Sequence, residues 1–179
     1  LAAKKCYIES AISIQSTSDH QGKIMLHTPK LQAIQNYCVA IEPLAFARPS
    51  EEVDASHVAA LVERIRTSGR WLIPIAVEQC SGIIMDGNHR LRAAIALGLE
   101  YIPCVPLHYS DPRVRIVDWN TGQPYDIQKI YQALACEQIL PYKSTRHLFS
   151  PRLPETNISL ALLQQKLAAP IQKTNPYPL

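Results

Sequence analysis

No run of five or six like charges occurs in the 179 residues, which excludes an obvious basic arm. No CxxC pair is present, and the five cysteines (Cys6, Cys38, Cys80, Cys104 and Cys136) are odd in number and widely scattered. That pattern argues against a disulfide framework and against a zinc ribbon, and it suits a reducing cytoplasm. No apolar stretch is long enough to span a bilayer, and the first residues lack the basic-then-apolar pattern of a secretory signal, so no membrane partner is expected. The chain starts at Leu1, which suggests a trimmed sequence or an alternative start codon. No internal repeat is visible.

What is present fits one globular domain. The chain is 47% hydrophobic, enough at this length for a real core. Its net charge of +3 is only mildly basic, so nucleic-acid binding is permitted but not called for. Cys80, Cys104 and Cys136 stand in apolar or element-like surroundings, where a cysteine is usually a small core residue.

Residues 1–38 read as an N-terminal extension with a polar, loop-like stretch around Ser16-Thr17-Ser18-Asp19. Val39-Ala40-Ile41 suggests a strand. Asp54 is placed to cap a helix whose apolar positions Val58, Leu61, Val62 and Ile65 recur at helical spacing, with Gly69 to end it. Ile73 to Val77 reads as a strand whose proline suits an edge or a first position. A turn at Ser81-Gly82 leads to a strand at Ile83 to Met85, then a helix over His89 to Leu97. Tyr101 to Leu107 is a further strand, and its prolines predict an irregular or edge location. Arg113 to Trp119 alternates as a strand does, and Asp126 to Gln138 carries Ile127, Ile130, Tyr131 and Leu134 on one helical face. Residues 140–147 show no clear period. A last helix is expected from about Asn157 to Leu167, before a proline-containing tail over 169–179 that is expected to be loose.

Four polar clusters interrupt this scaffold. Glu51-Glu52 precedes a helix, where acidic residues normally serve the dipole. Asp86-Gly87-Asn88-His89-Arg90 stands where a strand hands over to a helix. Free N–H groups at a helix start bind phosphate, glycine admits a ligand to the backbone, and an arginine grips phosphate with two parallel hydrogen bonds. The third cluster is His108-Tyr109-Ser110-Asp111, with Trp119 downstream; a lone tryptophan is more often core than site. The fourth, Lys143-Ser144-Thr145-Arg146-His147, mixes hydroxyls with three groups able to carry positive charge. It suits either an oxyanion or a solvated face, and on residues alone both stay open.

The block Ile84 to Ala94, with Leu97-Gly98 and Ile102-Pro103 after it, resembles the ParB/sulfiredoxin superfamily, and within it the free L-serine kinases. Those kinases show an Asp-Gly-His-His-Arg signature, an upstream Pro-His-Glu motif before a helix, and a late Lys-Thr/Ser-Thr-Arg-His segment. Here the signature is Asp86-Gly87-Asn88-His89-Arg90, the upstream motif is Pro49-Ser50-Glu51, and Lys143 to His147 fits the late segment fully. Tyr109-Ser110-Asp111, Val114, Trp119 and Asn157-Ile158 also follow a family-like pattern. The resemblance covers about residues 39–165.

The resemblance implies an α+β fold: a small mixed sheet with flanking helices in a single domain over 39–168. It also implies phosphoryl transfer from ATP or ADP, with Mg²⁺, to the hydroxyl of free L-serine, giving O-phospho-L-serine. Glu51 would accept the hydroxyl proton, and Asp86 would hold Mg²⁺ or assist that transfer. Gly87, Asn88, His89 and Arg90 would cradle donor phosphates. Ser144, Thr145, Arg146 and His147, with Lys143 beside them, would hold the transferred phosphoryl group or the serine carboxylate, and Trp119 would wall the serine pocket. Two positions depart from the pattern: Asn88 and Ser50 each stand where the family has His. A change of donor, a change of substrate or loss of activity are the alternatives they raise. The rivals are a ParB-like nucleotide-binding or DNA-associated regulator, a binding module without turnover, and a sulfiredoxin-like reductase. The last needs a cysteine inside the signature, where position 88 is Asn.

Overall fold

The computed structural model describes residues 37–164, together with the backbone of 17–18 and 24–25. Most of the expected N-terminal extension, Cys6, the end of the expected last helix and the tail lie outside the described residues. The chain divides into two units, Leu1–Gln35 and Asn36–Leu179. The first holds a short antiparallel ribbon of β1 (Thr17–Ser18) and β2 (Ile24–Met25).

In the second unit the elements run β3 (Ala40–Pro43), a 3-10 turn at Leu44–Phe46, α1 (Ala55–Ser68), β4 (Arg70–Trp71), β5 (Ile75–Glu78), β6 (Ile84–Asp86) and α2 (Asn88–Ala96). They continue with β7 (Tyr101–Leu107), β8 (Val114–Asp118), α3 (Ile127–Ala135), β9 (Thr145–Phe149), β10 (Ile158–Ser159) and α4 (Leu160–Gln164). Four strands form a mixed sheet in the order β3-β7-β5-β6, with β5 and β7 parallel and the outer pairs antiparallel. β8 pairs with β9, and β10 with β4, as separate antiparallel ribbons. This is the expected α+β fold.

Both faces of the sheet are covered. Ile75, Val77, Ile84, Ile102 and Cys104 pack with Leu91, Ala93, Ala94 and Trp71 on the side of α1 and α2. Ala76, Met85, Val105 and Leu107 pack on the other face, against Tyr109, Val114 and Phe149. Burial on both faces explains why β5 is buried throughout rather than alternating. Trp71 and Ile75 are almost wholly enclosed, and truncating such side chains typically costs about 3–5 and 2–5 kcal/mol respectively.

The caps follow the sequence. The Asp54 carboxylate accepts the backbone N–H of His57 at 2.8 Å, and Gly69 ends α1 at φ 64° with its N–H on Ile65 and Arg66. Asp126 caps α3 in the same way through Gln128.

Several expectations need correction. β7 is an interior strand, not an edge; β5 is interior too and starts at Ile75 rather than Ile73, with Pro74 directly ahead of it, next to the first position that is the alternative to an edge. Backbone direction explains how β7 tolerates two prolines. Its residue 107 carbonyl accepts from Gln79 on the β5 side, and the Glu100 carbonyl accepts from Leu44 on the β3 side. Odd residues therefore face β5 and even ones β3. Pro103 faces β5 one residue before the first pair of that ladder, Cys104 with Ile75, and Pro106 faces β3 beyond the last pair there, Cys104 with Ala40. Neither missing N–H breaks a ladder. β9 occupies a stretch that shows no strand period. The last helix starts at Leu160 rather than Asn157, because Ile158 and Ser159 pair with Trp71 and Arg70. Of the three cysteines expected in the core, only Cys104 is buried; Cys80 and Cys136 are exposed, in the β5–β6 turn and just after α3.

Candidate active site

Glu51 is not a helix-dipole residue. The segment before α1 runs beside β6, with Arg48 bonded to Gly82 and Ile84 through its backbone, and the Ser50 hydroxyl donating to the Ile84 carbonyl at 2.7 Å. The same segment bridges to Leu140: Glu52 donates to the Leu140 carbonyl at 2.9 Å, and Leu140 donates to that of Ser50 at 2.9 Å. Glu51 is thus fixed between the end of β6 and the start of the segment leading to β9. One oxygen of its carboxylate accepts the Thr145 backbone N–H at 2.6 Å and the Thr145 hydroxyl at 2.5 Å. Burial raises the Glu51 pKa above the ordinary carboxylate value, against the lowering pull of Thr145 and the Lys143 backbone.

The second wall is the β6–α2 junction. Gly87 caps α2 at φ 116°, a backbone open to glycine, and no side chain caps this helix. The residues of its first turn line the site's cavity, and among the described residues no side chain caps their N–H groups, unlike those of α1 and α3. A Cβ at Gly87 would lie 2.9 Å from Arg90 Nε and 3.2 Å from Ile75 Cγ1, so the glycine makes room for the guanidinium. Arg90 Nη2 pairs with Asp86 Oδ2 at 2.8 Å, while its Nε is buried without a partner among the described residues. The Asp86 side chain is half exposed.

Asn88 and Ser50, the two departures from the family pattern, touch each other. Asn88 Oδ1 accepts the Ser50 N–H at 3.0 Å and the Glu51 N–H at 3.5 Å, and Asn88 Nδ2 donates to Ser50 Oγ at 3.1 Å. The paired change is one local interaction, and it anchors the backbone that carries Glu51. His89 Nε2 accepts the N–H of Asp54 at 3.1 Å, which ties the starts of α1 and α2 together. Its ring lies 4.5 Å from that of His57 and 5.6 Å from that of Tyr142. Burial, then the neighbouring His57, lowers its pKa, so His89 is a neutral wall at neutral pH.

The third wall is the approach to β9. Lys143 takes φ 59°, uncommon outside glycine, and its ammonium sits 5.0 Å from the Tyr142 ring and 5.4 Å from that of Trp119. Arg146 stands 5.7 Å from the same Trp119 ring. Trp119 is 42% exposed, so it is a wall rather than core. His147 Nε2 is buried without a partner among the described residues, and burial pushes the ring's pKa down to about 4. That leaves the segment's positive charge to Lys143 and Arg146. Ser144 turns away: its hydroxyl donates to the Pro141 carbonyl at 2.7 Å.

These walls enclose a cavity of about 700 Å³, large enough for a nucleotide. Glu51, Asp86, Gly87, Asn88, His89, Arg90, Trp119, Lys143, Thr145, Arg146 and His147 line it; Ser144 does not. Glu52, His57, Leu61, Arg64, Ile73, Met85 and Tyr142 line it too, although the sequence marks none of them as a site residue. His57, Leu61 and Arg64 recur at i, i+4, i+7 on α1, a spacing that could have flagged them once α1 was known to face the site. Among the described residues, no three metal-ligating side chains converge in this cavity. Its free carboxylate oxygen on Asp86 fits Mg²⁺, an ion that takes one or two carboxylates and completes its shell with phosphate and water.

Residues 27–119 match the ParB N-terminal domain family. An ATP-dependent L-serine kinase of Desulfurococcus mucosus is 31% identical over 124 residues, covering 66% of this chain and 48% of that protein. A ParB-like protein of Sulfolobus acidocaldarius is 37% identical over 73 residues, covering 41% of this chain and 36% of its own length. The chain thus spans half or less of these curated relatives. A solved free serine kinase in complex with AMP superposes with a TM-score of 0.65 at 12% identity, over 72% of this chain and 95% of that one. That likeness is one of fold.

Proposed function

The chain belongs to the ParB N-terminal domain family, and on that footing we propose that it is a free L-serine kinase. The observation that supports this most is the meeting of three distant segments, at Glu51, at Asp86 to Arg90 and at Lys143 to His147, around one cavity. The donor we assign is ATP, after the names of the relatives, with ADP to be tried beside it.

Phosphoryl transfer needs positioning and charge neutralisation more than covalent help. The uncapped N–H groups of α2 and the Arg90 guanidinium receive donor phosphates. Lys143 and Arg146 face the same space and hold the serine carboxylate or the transferred group. The serine hydroxyl oxygen forms its bond to the terminal phosphorus as the bond to the leaving nucleotide breaks, and the hydroxyl proton passes to Glu51. Thr145 holds the Glu51 carboxylate in place, and a pKa raised by burial suits that base. Mg²⁺, held by Asp86, would offset phosphate charge.

Folded protein mixed with L-serine, Mg²⁺ and each nucleotide in turn should yield O-phospho-L-serine by mass spectrometry. Absence of product with both donors refutes the kinase. Nucleotide binding without turnover, or salt-dependent DNA binding, would instead point to a ParB-like regulator.

A further inference from the structure

A second cluster of reactive side chains lies outside the cavity just described. Glu78 ends β5, Cys80 follows in the β5–β6 turn, and His108 comes directly after β7. β5 and β7 are parallel neighbours with Glu78 opposite Leu107, so topology brings these three residues to one end of the sheet. Their ligand atoms all lie within 4.8 Å of one another, and none of the three lines the kinase cavity.

Glu78 is buried, at 6% exposure, and its carboxylate is held firmly. Oε2 accepts the N–H groups of Cys80 at 3.0 Å and Ser81 at 2.7 Å, and the Ser81 hydroxyl at 2.6 Å. Oε1 is left facing His108 Nδ1 at 3.3 Å. Burial alone would lift this carboxyl's pKa, but the Ser81, His108 and Cys80 contacts hold it below the ordinary value, so the buried group is an anion. Cys80 and His108 are exposed, which gives an ion a path in.

We propose that Glu78, Cys80 and His108 form a binding site for a zinc-class divalent cation. One carboxylate oxygen, one thiolate and one imidazole are a borderline donor set, suited to Zn²⁺ or Co²⁺ rather than to Mg²⁺ or Ca²⁺. Bonds of about 2.0–2.3 Å in a tetrahedron place donors roughly 3.3–3.8 Å apart, so the Glu78–His108 pair already has the spacing, and the Cys80 Sγ lies within 4.8 Å of both. Three protein ligands leave the fourth position to water.

Co²⁺ titrated into the full chain, read by the near-ultraviolet thiolate-to-cobalt absorption, tests the site. The band should saturate at one ion per chain and be displaced by Zn²⁺. Cys80→Ser should abolish it, while Cys38→Ser and Cys136→Ser leave it intact. His108→Ala should weaken binding by more than the ~10–100-fold typical of an outer-shell partner. No band, a band that survives Cys80→Ser, or an affinity indifferent to His108→Ala would overturn the proposal.

Discussion

Replacing Asn88 with Ala separates a structural reading of this position from a functional one. Asn88 satisfies the N–H of Ser50, a residue only 3% exposed, and also meets the Ser50 hydroxyl and the Glu51 N–H. Truncation leaves a buried donor without a partner, at a cost of about 1–3 kcal/mol. Alanine returns at most about 0.7 kcal/mol of helix propensity, less at the first residue of α2. A net loss of about 1–2 kcal/mol corresponds to a fall of roughly 3–6 °C in Tm for a chain of this size. The catalytic effect should be larger than the thermal one. Glu51 is held by Asn88 on its backbone side and by Thr145 on its carboxylate, and a misplacement of about 1 Å can cost on the order of 100-fold in rate. The expected pattern is a lower kcat with nucleotide affinity retained, because the α2 backbone N–H groups are untouched. Differential scanning fluorimetry, nucleotide titration and turnover should be read on Asn88→Ala, Ser50→Ala and the double variant. Coupling of at least about 0.5 kcal/mol is expected for residues in one hydrogen-bonded unit. Single-variant costs that simply add would refute the clamp.

Three further outcomes are expected. Gly87→Ala sets a Cβ 2.9 Å from Arg90 Nε at φ 116°, so it should displace the guanidinium and cost about 1–3 kcal/mol, with weaker nucleotide binding by calorimetry. Unchanged affinity would remove Gly87 and Arg90 from the phosphate site. His147 charges near pH 4 in the fold and near 6.5 when unfolded, so the unfolded chain binds the extra proton between those values. Stability should therefore fall as pH drops from 6.5 to 4, by up to about 3 kcal/mol from this group, and His147→Gln should flatten that slope in urea titrations; an unchanged slope contradicts the burial argument. Trp71 is enclosed and Trp119 is exposed beside Lys143 and Arg146, so ligand-induced changes in tryptophan emission should vanish in Trp119→Phe. A response that persists there would place the ligand elsewhere.

Elements with local signals were legible in the sequence. α1 was bracketed by Asp54 and Gly69, and the β6–α2 handover was marked by Asp86-Gly87, because caps and positive-φ turns are written in a few adjacent residues. β9 was not, since Thr145 to Phe149 pairs with β8 while its side chains divide between cavity and core, and no period of two survives that mixed demand. The place of Glu51 depends on bridges to Ile84, Leu140 and Thr145, which are distant in sequence, so local spacing suggested a helix-dipole role instead. Cys80 and Cys136 show the same limit: a place beside a strand or helix in sequence does not decide which residue of a turn points outward. The family resemblance brought the three site segments together where periodicity could not, but the contact between Asn88 and Ser50 needed coordinates.

The role of Glu51 as the base of a serine kinase is tested most directly by O-phospho-L-serine formation in the unaltered chain and in Glu51→Gln, measured together with nucleotide affinity. Glutamine can still accept from Thr145 but cannot take the hydroxyl proton. The unaltered chain should form product, and Glu51→Gln should be slower by about 10²–10⁴ with nucleotide affinity unchanged. No product from folded, nucleotide-binding protein, or a Glu51→Gln rate equal to that of the unaltered chain, would contradict that role.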